Sequence, residues 1–317
     1  MQTEHIPSRA EIEHAASLLR AGRLVAFPTE TVYGLGANAL DEQAVRRIYE
    51  AKGRPSTSPI IVHVSSVEMA RVVVAEWPPT AQLLAQKFWP GPLTLVLKKQ
   101  PAIFSIVTAG LNTVGVRMPS HPVALALIEA AQLPIAAPSA NRFTQLSPTT
   151  AVHVREGLGD RVDYILDGGP CTVGIESTVL SLGEGVPVVL RPGGVSRSQI
   201  EEVIGPVRLL TEAAGEAHPA PGMHLRHYSP RTKLLLVRDG DVPREGSGAY
   251  LQLRTPPGRE VSEVVKMPRD PAGYAADLYR VLHDLDTRGY DWIAVEEPKD
   301  SPEWEAVRDR LQRAADR

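Results

Sequence analysis

Short apolar runs alternate with capped helical stretches along most of this chain, and that alternation restricts it to an α/β or α+β fold, of which α/β is the reading taken here. Ser8-Arg9-Ala10-Glu11 has the form of a capping box and opens a helix that Gly22 closes. Residues 23–27 read as a buried strand and 28–38 as a polar, glycine-containing loop. A helix over about 41–51 carries Val45, Ile48 and Tyr49 on one face. Further strands are predicted at 60–64, 93–97, 114–118 and 135–138, then in DYILD, STVLS and PVVLR. Helices are predicted from a Ser65/Glu68 cap, over 80–88, over 122–131 and from Ser147-Pro148, and Ser196–Gln199 is a second capping box. The sum is a domain of several helices on one twisted mixed sheet.

The pattern breaks after Leu210. The stretch TEAAGEAHPAPGMHLRHYSPRT has neither strand nor helix periodicity and reads as a linker. KLLLV, GAYLQL, EVVKM and WIAVE then alternate with helices near 271–288 and 302–316. The expected division is 1–211 for the first domain, 212–231 for the linker and 232–317 for a small Rossmann-like α/β domain.

Composition excludes several classes. The chain has 317 residues, is 43% apolar and 22% charged, and has ordinary globular content. No apolar run reaches the roughly 20 residues of a membrane span, and the polar start has no secretory pattern. Cys171 is the only cysteine, so no internal disulfide is possible; a cytoplasmic monomer is expected. A net charge of −3 argues against a wholly basic nucleic-acid coat.

Against that acidic balance, cations gather at a few places. Lys52-Gly53-Arg54 and Ser139-Ala140-Asn141 each set two polar side chains at i and i+2, pointing one way on extended backbone. Together they suit a polyphosphate: a planar fork, a point charge and two neutral donors. Taken alone, the first pair also suits a helix C-terminus, and the second suits a turn. His63, Arg117, Ser177 and Arg191 sit at ends of predicted strands. Arg117, inside VGVRMP, demands an acidic partner or an anionic ligand, because a buried strand rarely holds an unpaired guanidinium. YGLGAN matches neither a P-loop nor a dinucleotide fingerprint. His218, His224 and His227 fit no zinc spacing. Cys171 suits a buried small residue better than a nucleophile, and Glu176 reads equally as a base or as an ordinary strand-end carboxylate.

FPTETVYGLGANA, YEAKGRPSTSPIIVHV, FWPGPLTLVL, VGVRMPSHP, APSANRFTQLSPTTA, GIESTVLS, LRPGGVS and HYSPRT, in that order, resemble the threonylcarbamoyl-adenylate synthase family, with its YrdC-like fold. The linker and C-terminal stretch resemble those of its longer members. The resemblance implies condensation of L-threonine, bicarbonate and ATP to threonylcarbamoyl-adenylate and pyrophosphate. Downstream transferase proteins then move the group to the adenosine beside the tRNA anticodon. It implies that Lys52, Arg54, Ser139 and Asn141 hold nucleotide phosphates, with Lys52 and Arg54 catalytic. Arg191, His227 and Tyr228 match the nucleotide side, and Thr31, Tyr33, His63, Arg117 and Ser177 the threonine side. It also implies that the linker folds over the cleft as a lid. Mg²⁺ is expected on the triphosphate, held by phosphates and water rather than by a protein metal site. Two other classes stay open at this point: an RNA-binding module with a basic cleft and weak tRNA contact, and carbamoyl transfer to another acceptor.

Overall fold

The protein is described here by a computed structural model, over residues 6–183, 185–210 and 228–315. The first sheet contains β1 (Val25–Phe27), β2 (Gly34–Asn38), β3 (Val62–His63), β4 (Leu93–Lys98) and β5 (Thr113–Arg117). It continues with β6 (Ile135–Ala136), β7 (Tyr164–Ile165), β8 (Thr178–Ser181), β9 (Val188–Arg191) and β10 (Arg208–Leu209). The order is β10-β9-β8-β4-β5-β3-β6-β2-β1-β7. Pairing is mixed: β3–β5 and β4–β8 are parallel, whereas β1–β2, β4–β5 and β8–β9 are antiparallel.

Among the described residues, eight α-helices attend this sheet: α1 (Arg9–Arg20), α2 (Glu42–Lys52), α3 (Val67–Val73), α4 (Pro79–Phe88), α5 (Ser105–Thr108), α6 (Pro122–Ala131), α7 (Ala151–Leu158) and α8 (Arg197–Ile204). Both faces of β1 are buried, with the period-two alternation of a strand between two layers. Val25 and Phe27 pack with Leu19, Leu127 and Ile128 of α1 and α6, whereas Ala26 joins the larger core of Leu35, Ile48, Leu95 and Val116.

The second sheet, β11 (Lys233–Val237), β12 (Gly248–Gln252), β13 (Glu263–Lys266) and β14 (Trp292–Glu296), is parallel throughout, in the order β11-β14-β12-β13. It carries α9 (Pro271–Asp286) and α10 (Glu305–Ala314). The two domains share a core: Val32, Leu146, Ile175 and Tyr228 pack with Tyr274, Leu278 and Leu311. At Gly174, φ is +77° and a Cβ would lie 2.4 Å from the carbonyl oxygen of Ala275. Only glycine admits both that backbone and that approach of α9.

The α/β class holds, and so do the Ser8/Glu11 and Ser196/Gln199 capping boxes. Four local expectations need correction. The segment 28–38 is not all loop, because Gly34–Asn38 pairs with β1 and β6. Ser66, not Ser65, caps α3, accepting from the Met69 amide. Ser147-Pro148 does not start a helix: α7 begins at Ala151 behind the Thr150 cap, and Ser147 Oγ is drawn to Glu176 Oε1 at 2.6 Å. The backbone at 52–54 is not extended, since Gly53 ends α2 in the left-handed region at φ 62°. Of the expected linker, residues 212–227 lie outside the described residues, and with them His227 and most of the expected lid. Its last part is packed: Tyr228, Ser229 and Pro230 are buried, and the Ser229 amide donates to Thr144 O at 2.9 Å.

Candidate active site

A cleft of about 530 Å³ lies where residues from β2, β3, β5 and β9 meet the segments before β8 and after β6. Its wall holds Thr31, Arg54, His63, Arg117, Ser139, Ser177, Arg191 and Tyr228. All eight were expected from sequence. Thr29 and Glu176 line it as well.

Arg117 is buried at the end of β5 and meets the acidic partner it required. Its Nη2 lies 2.6 Å from Glu30 Oε1, Nη1 donates to Thr31 Oγ1 at 2.9 Å, and Nε donates to Gly91 O at 3.1 Å. Glu30 is in turn held by the Ser120 amide at 3.1 Å. The guanidinium is therefore fixed in direction while it still faces the cleft, a preorganised fork for a carboxylate.

Arg54 leaves the α2 cap and donates from Nη2 to Ser58 Oγ (2.6 Å) and Pro59 O (2.9 Å). Its Nε is buried and has no hydrogen-bond partner among the described residues. Burial pulls its pKa down to about 10; Tyr49 and Tyr228 oppose that, and Arg191 adds to it. The group stays cationic at neutral pH. Arg191 donates from Nε and Nη2 to Ser177 O at 3.2 and 2.9 Å. Ser177 Oγ shares a 2.8 Å hydrogen bond with Thr94 Oγ1. Gly193 permits this packing, because a Cβ there would lie 2.3 Å from Glu176 O.

His63 Nδ1 is another buried polar atom without a partner among the described residues. Burial first, and then Arg117, depress its pKa to about 3, so it works as a neutral imidazole. An unfolded imidazole titrates near 6.5. The stability linked to His63 is thus full above about 6.5 and is lost as pH falls towards 3. His63→Gln is expected to flatten the acid limb of stability against pH by about 1.4 kcal/mol per unit between about pH 6 and 4. Denaturant titrations at several pH values measure this, and equal slopes in the two proteins would contradict it. His153, also depressed to about 3 by burial and then by His283, contributes a similar slope that stays in the variant.

Three expected residues are placed elsewhere. Lys52 Nζ sits beneath the 139–141 segment, donating to Ser139 O at 2.6 Å and Asn141 O at 2.5 Å. Burial, reinforced by Arg54, holds its pKa well below the usual lysine range. It is a brace for the Ser139 loop, not an exposed cation at a helix end. Asn141 directs its amide to Arg142 O and Gln145 O, both at 2.8 Å. The Tyr33 hydroxyl donates to Gly169 O at 2.7 Å, away from the cleft lining, and burial followed by Asp167 raises its pKa. Its backbone shapes the site instead, accepting from the Ala140 amide at 2.8 Å.

Sequence reasoning missed Glu30, Thr94 and the partners of Glu176. The last is a buried carboxylate bonded to Ser147, Tyr279 and Arg310. Burial alone would raise its pKa, but Arg310 and Arg191 outweigh that and hold it low. It is an ionised structural anion rather than a proton acceptor poised near neutrality. Among the described residues, no group of three or more His, Cys, Asp or Glu could hold a metal ion, and no helix is long and apolar enough to cross a membrane.

Fold and site together define an α/β enzyme with a preformed cationic cleft for small anionic ligands. Residues 17–193 match the Sua5/YciO/YrdC family described as telomere recombination, and residues 195–316 match the threonylcarbamoyl-AMP synthase C-terminal domain. The threonylcarbamoyl-AMP synthase of Pyrococcus abyssi is 43% identical over 96% of this chain and 94% of its own length. That of Bacillus subtilis is 44% identical over 96% and 93%. The crystal structure of P. abyssi Sua5 complexed with L-threonine superposes with a TM-score of 0.91 at 41% identity, covering 98% of this chain and 96% of that one. The chain belongs to the threonylcarbamoyl-AMP synthase family, whose members are nucleotide-using enzymes of tRNA modification.

Proposed function

We propose that the cleft joins L-threonine, bicarbonate and ATP in two steps. The threonine amine and bicarbonate first lose water to form a carbamate. A carbamate oxygen then attacks the α-phosphorus of ATP, forming threonylcarbamoyl-AMP and expelling pyrophosphate. The observation that carries this reading is the gathering of three buried guanidinium groups, Arg54, Arg117 and Arg191, on one cleft wall that holds a single carboxylate, Glu176, itself tied to Arg310. Arg117 suits the amino-acid carboxylate, with Thr31 bonded to it, His63 opposite it on β3 and Ser177 in the same cleft. Arg54, through its unpartnered Nε, suits the phosphates, with Ser139, Arg191 and Tyr228 near it. Lys52 and Asn141 support the Ser139 loop rather than touch the nucleotide.

No covalent bond to the protein is required, so catalysis is positioning plus cancellation of phosphate charge. A neutral His63 cannot compete with the threonine amine for a proton, and the buried wall shields the carbamate from water. Magnesium enters as part of the substrate, on the triphosphate. The division of labour places the chemistry in residues 1–211, with 212–231 as connector and 232–317 as the small domain. We expect a cytoplasmic monomer that hands its product to tRNA threonylcarbamoyl-transferase proteins.

Pyrophosphate release with each substrate omitted in turn tests this. Release should need threonine, bicarbonate and magnesium-ATP, and no RNA. Valine should be used about 10²-fold less efficiently or worse, because it leaves a polar group of the hydroxyl pocket unpaired. Serine should be rejected less strongly. Equal catalytic efficiency with valine and threonine would overturn the amino-acid assignment, and an RNA requirement would favour a binding module.

A further inference from the structure

The buried stripe of α10 reads Val307, Arg310, Leu311, Ala314. These are helix positions i, i+3, i+4 and i+7, and one of them is a guanidinium in place of an apolar side chain. Arg310 is 1% exposed. Its Nε donates to Glu176 Oε2 at 2.6 Å, Nη2 donates to Pro192 O at 2.9 Å, and Nη1 pairs with Asp309 Oδ2 at 2.5 Å. Its Cζ also lies 5.1 Å from the centre of the Tyr228 ring, within cation–π range.

These contacts converge on one part of the cleft. Glu176 lines it and precedes Ser177, whose carbonyl receives Arg191. Pro192 follows Arg191. Tyr228 lines the same cleft. One side chain of the second domain therefore touches Glu176, the backbone beside Arg191, and Tyr228. Stability is a poor reason for keeping such a pair, since apolar residues of similar volume commonly serve as well or better.

We propose that Arg310 is a positioning residue of the active site: from the second domain it sets Glu176, Arg191 and Tyr228 in the orientation that receives the nucleotide. This rests on the reading above, in which Arg191 and Tyr228 face ATP. Arg117, the anchor for the threonine carboxylate, is held separately, by Glu30, Thr31 and Gly91. Loss of Arg310 should therefore affect the two ligands unequally, which general loosening of the fold would not do.

The test is calorimetric binding of magnesium-ATP and of L-threonine to the full chain, with melting temperatures recorded for every variant. Arg310→Met should weaken magnesium-ATP at least about tenfold while threonine changes by less than about threefold. Arg310→Lys keeps the charge but not the fork, so it should recover only part of the loss. Glu176→Gln and Arg310→Met should be non-additive, the double variant losing no more nucleotide affinity than the worse single one. If Arg310→Met does not fold, Arg310→Lys takes its place in that cycle. Arg280→Ala, an exposed change on α9, should leave both affinities unaltered. Unchanged nucleotide affinity in a folded Arg310 variant, equal loss for both ligands, or additive losses would overturn the inference. Unaltered protein that binds both ligands beside a silent Arg310 variant defeats this inference alone. Unaltered protein that binds neither defeats the reading of the cleft as well.

Discussion

Replacing Arg117 by alanine is expected to abolish threonine-dependent pyrophosphate release and to destabilise the fold by about 3–5 kcal/mol, as when one partner of a buried ion pair is removed. The two effects have separate origins. The stability loss comes from Glu30, whose carboxylate stays buried and, among the described residues, keeps the Ser120 amide. The activity loss comes from the missing fork for the threonine carboxylate. Glu30→Gln/Arg117→Met separates them, since it removes both charges and should recover much of the stability but none of the activity. Urea titration and the pyrophosphate assay are the measurements. Normal use of threonine by a folded Arg117→Ala protein would remove this residue from the amino-acid site.

Arg54→Ala is expected to lose about 2–4 kcal/mol of transition-state stabilisation, roughly 30-fold to 10³-fold in pyrophosphate release, the scale of removing one preorganised donor. Its structural effect should be smaller, about 1–3 kcal/mol, because Ser58 Oγ and Pro59 O lose a charged donor. Arg54→Lys should rescue little, since an ammonium cannot reproduce both the Nη2 contacts and an Nε aimed at the ligand. Single-turnover release of pyrophosphate at saturating threonine measures the first effect. A loss below about threefold, which is under 1 kcal/mol, would place the phosphates elsewhere in the cleft.

Much of this could be read without coordinates, because much of it is set within one turn or one strand. The Ser8/Glu11 and Ser196/Gln199 boxes, the helix beginning near residue 271 and the buried strand within 23–27 all depend on neighbours in sequence. Arg117 announced itself because a guanidinium in an apolar strand must be met by something. Eight residues marked at this stage line the cleft.

A side chain whose role depends on a distant part of the chain carries no such signal. Ser147 looked like a helix cap until Glu176 took its hydroxyl. Lys52 looked like a surface cation until the carbonyls of Ser139 and Asn141 came over it, 87 and 89 residues away. Arg310 gave one faint signal, a charge on an apolar helix stripe, but its partner Glu176 lies 134 residues back. The chain's own patterning thus determined its class, most of its helices and the set of residues able to handle anions. Capping, turns and amphipathic periodicity act over a few residues, and their energies are decided locally. Only the tertiary structure decided which cations line the cleft and which serve as buried braces. That choice depends on desolvation and on hydrogen-bond partners that exist only once the two domains are packed together.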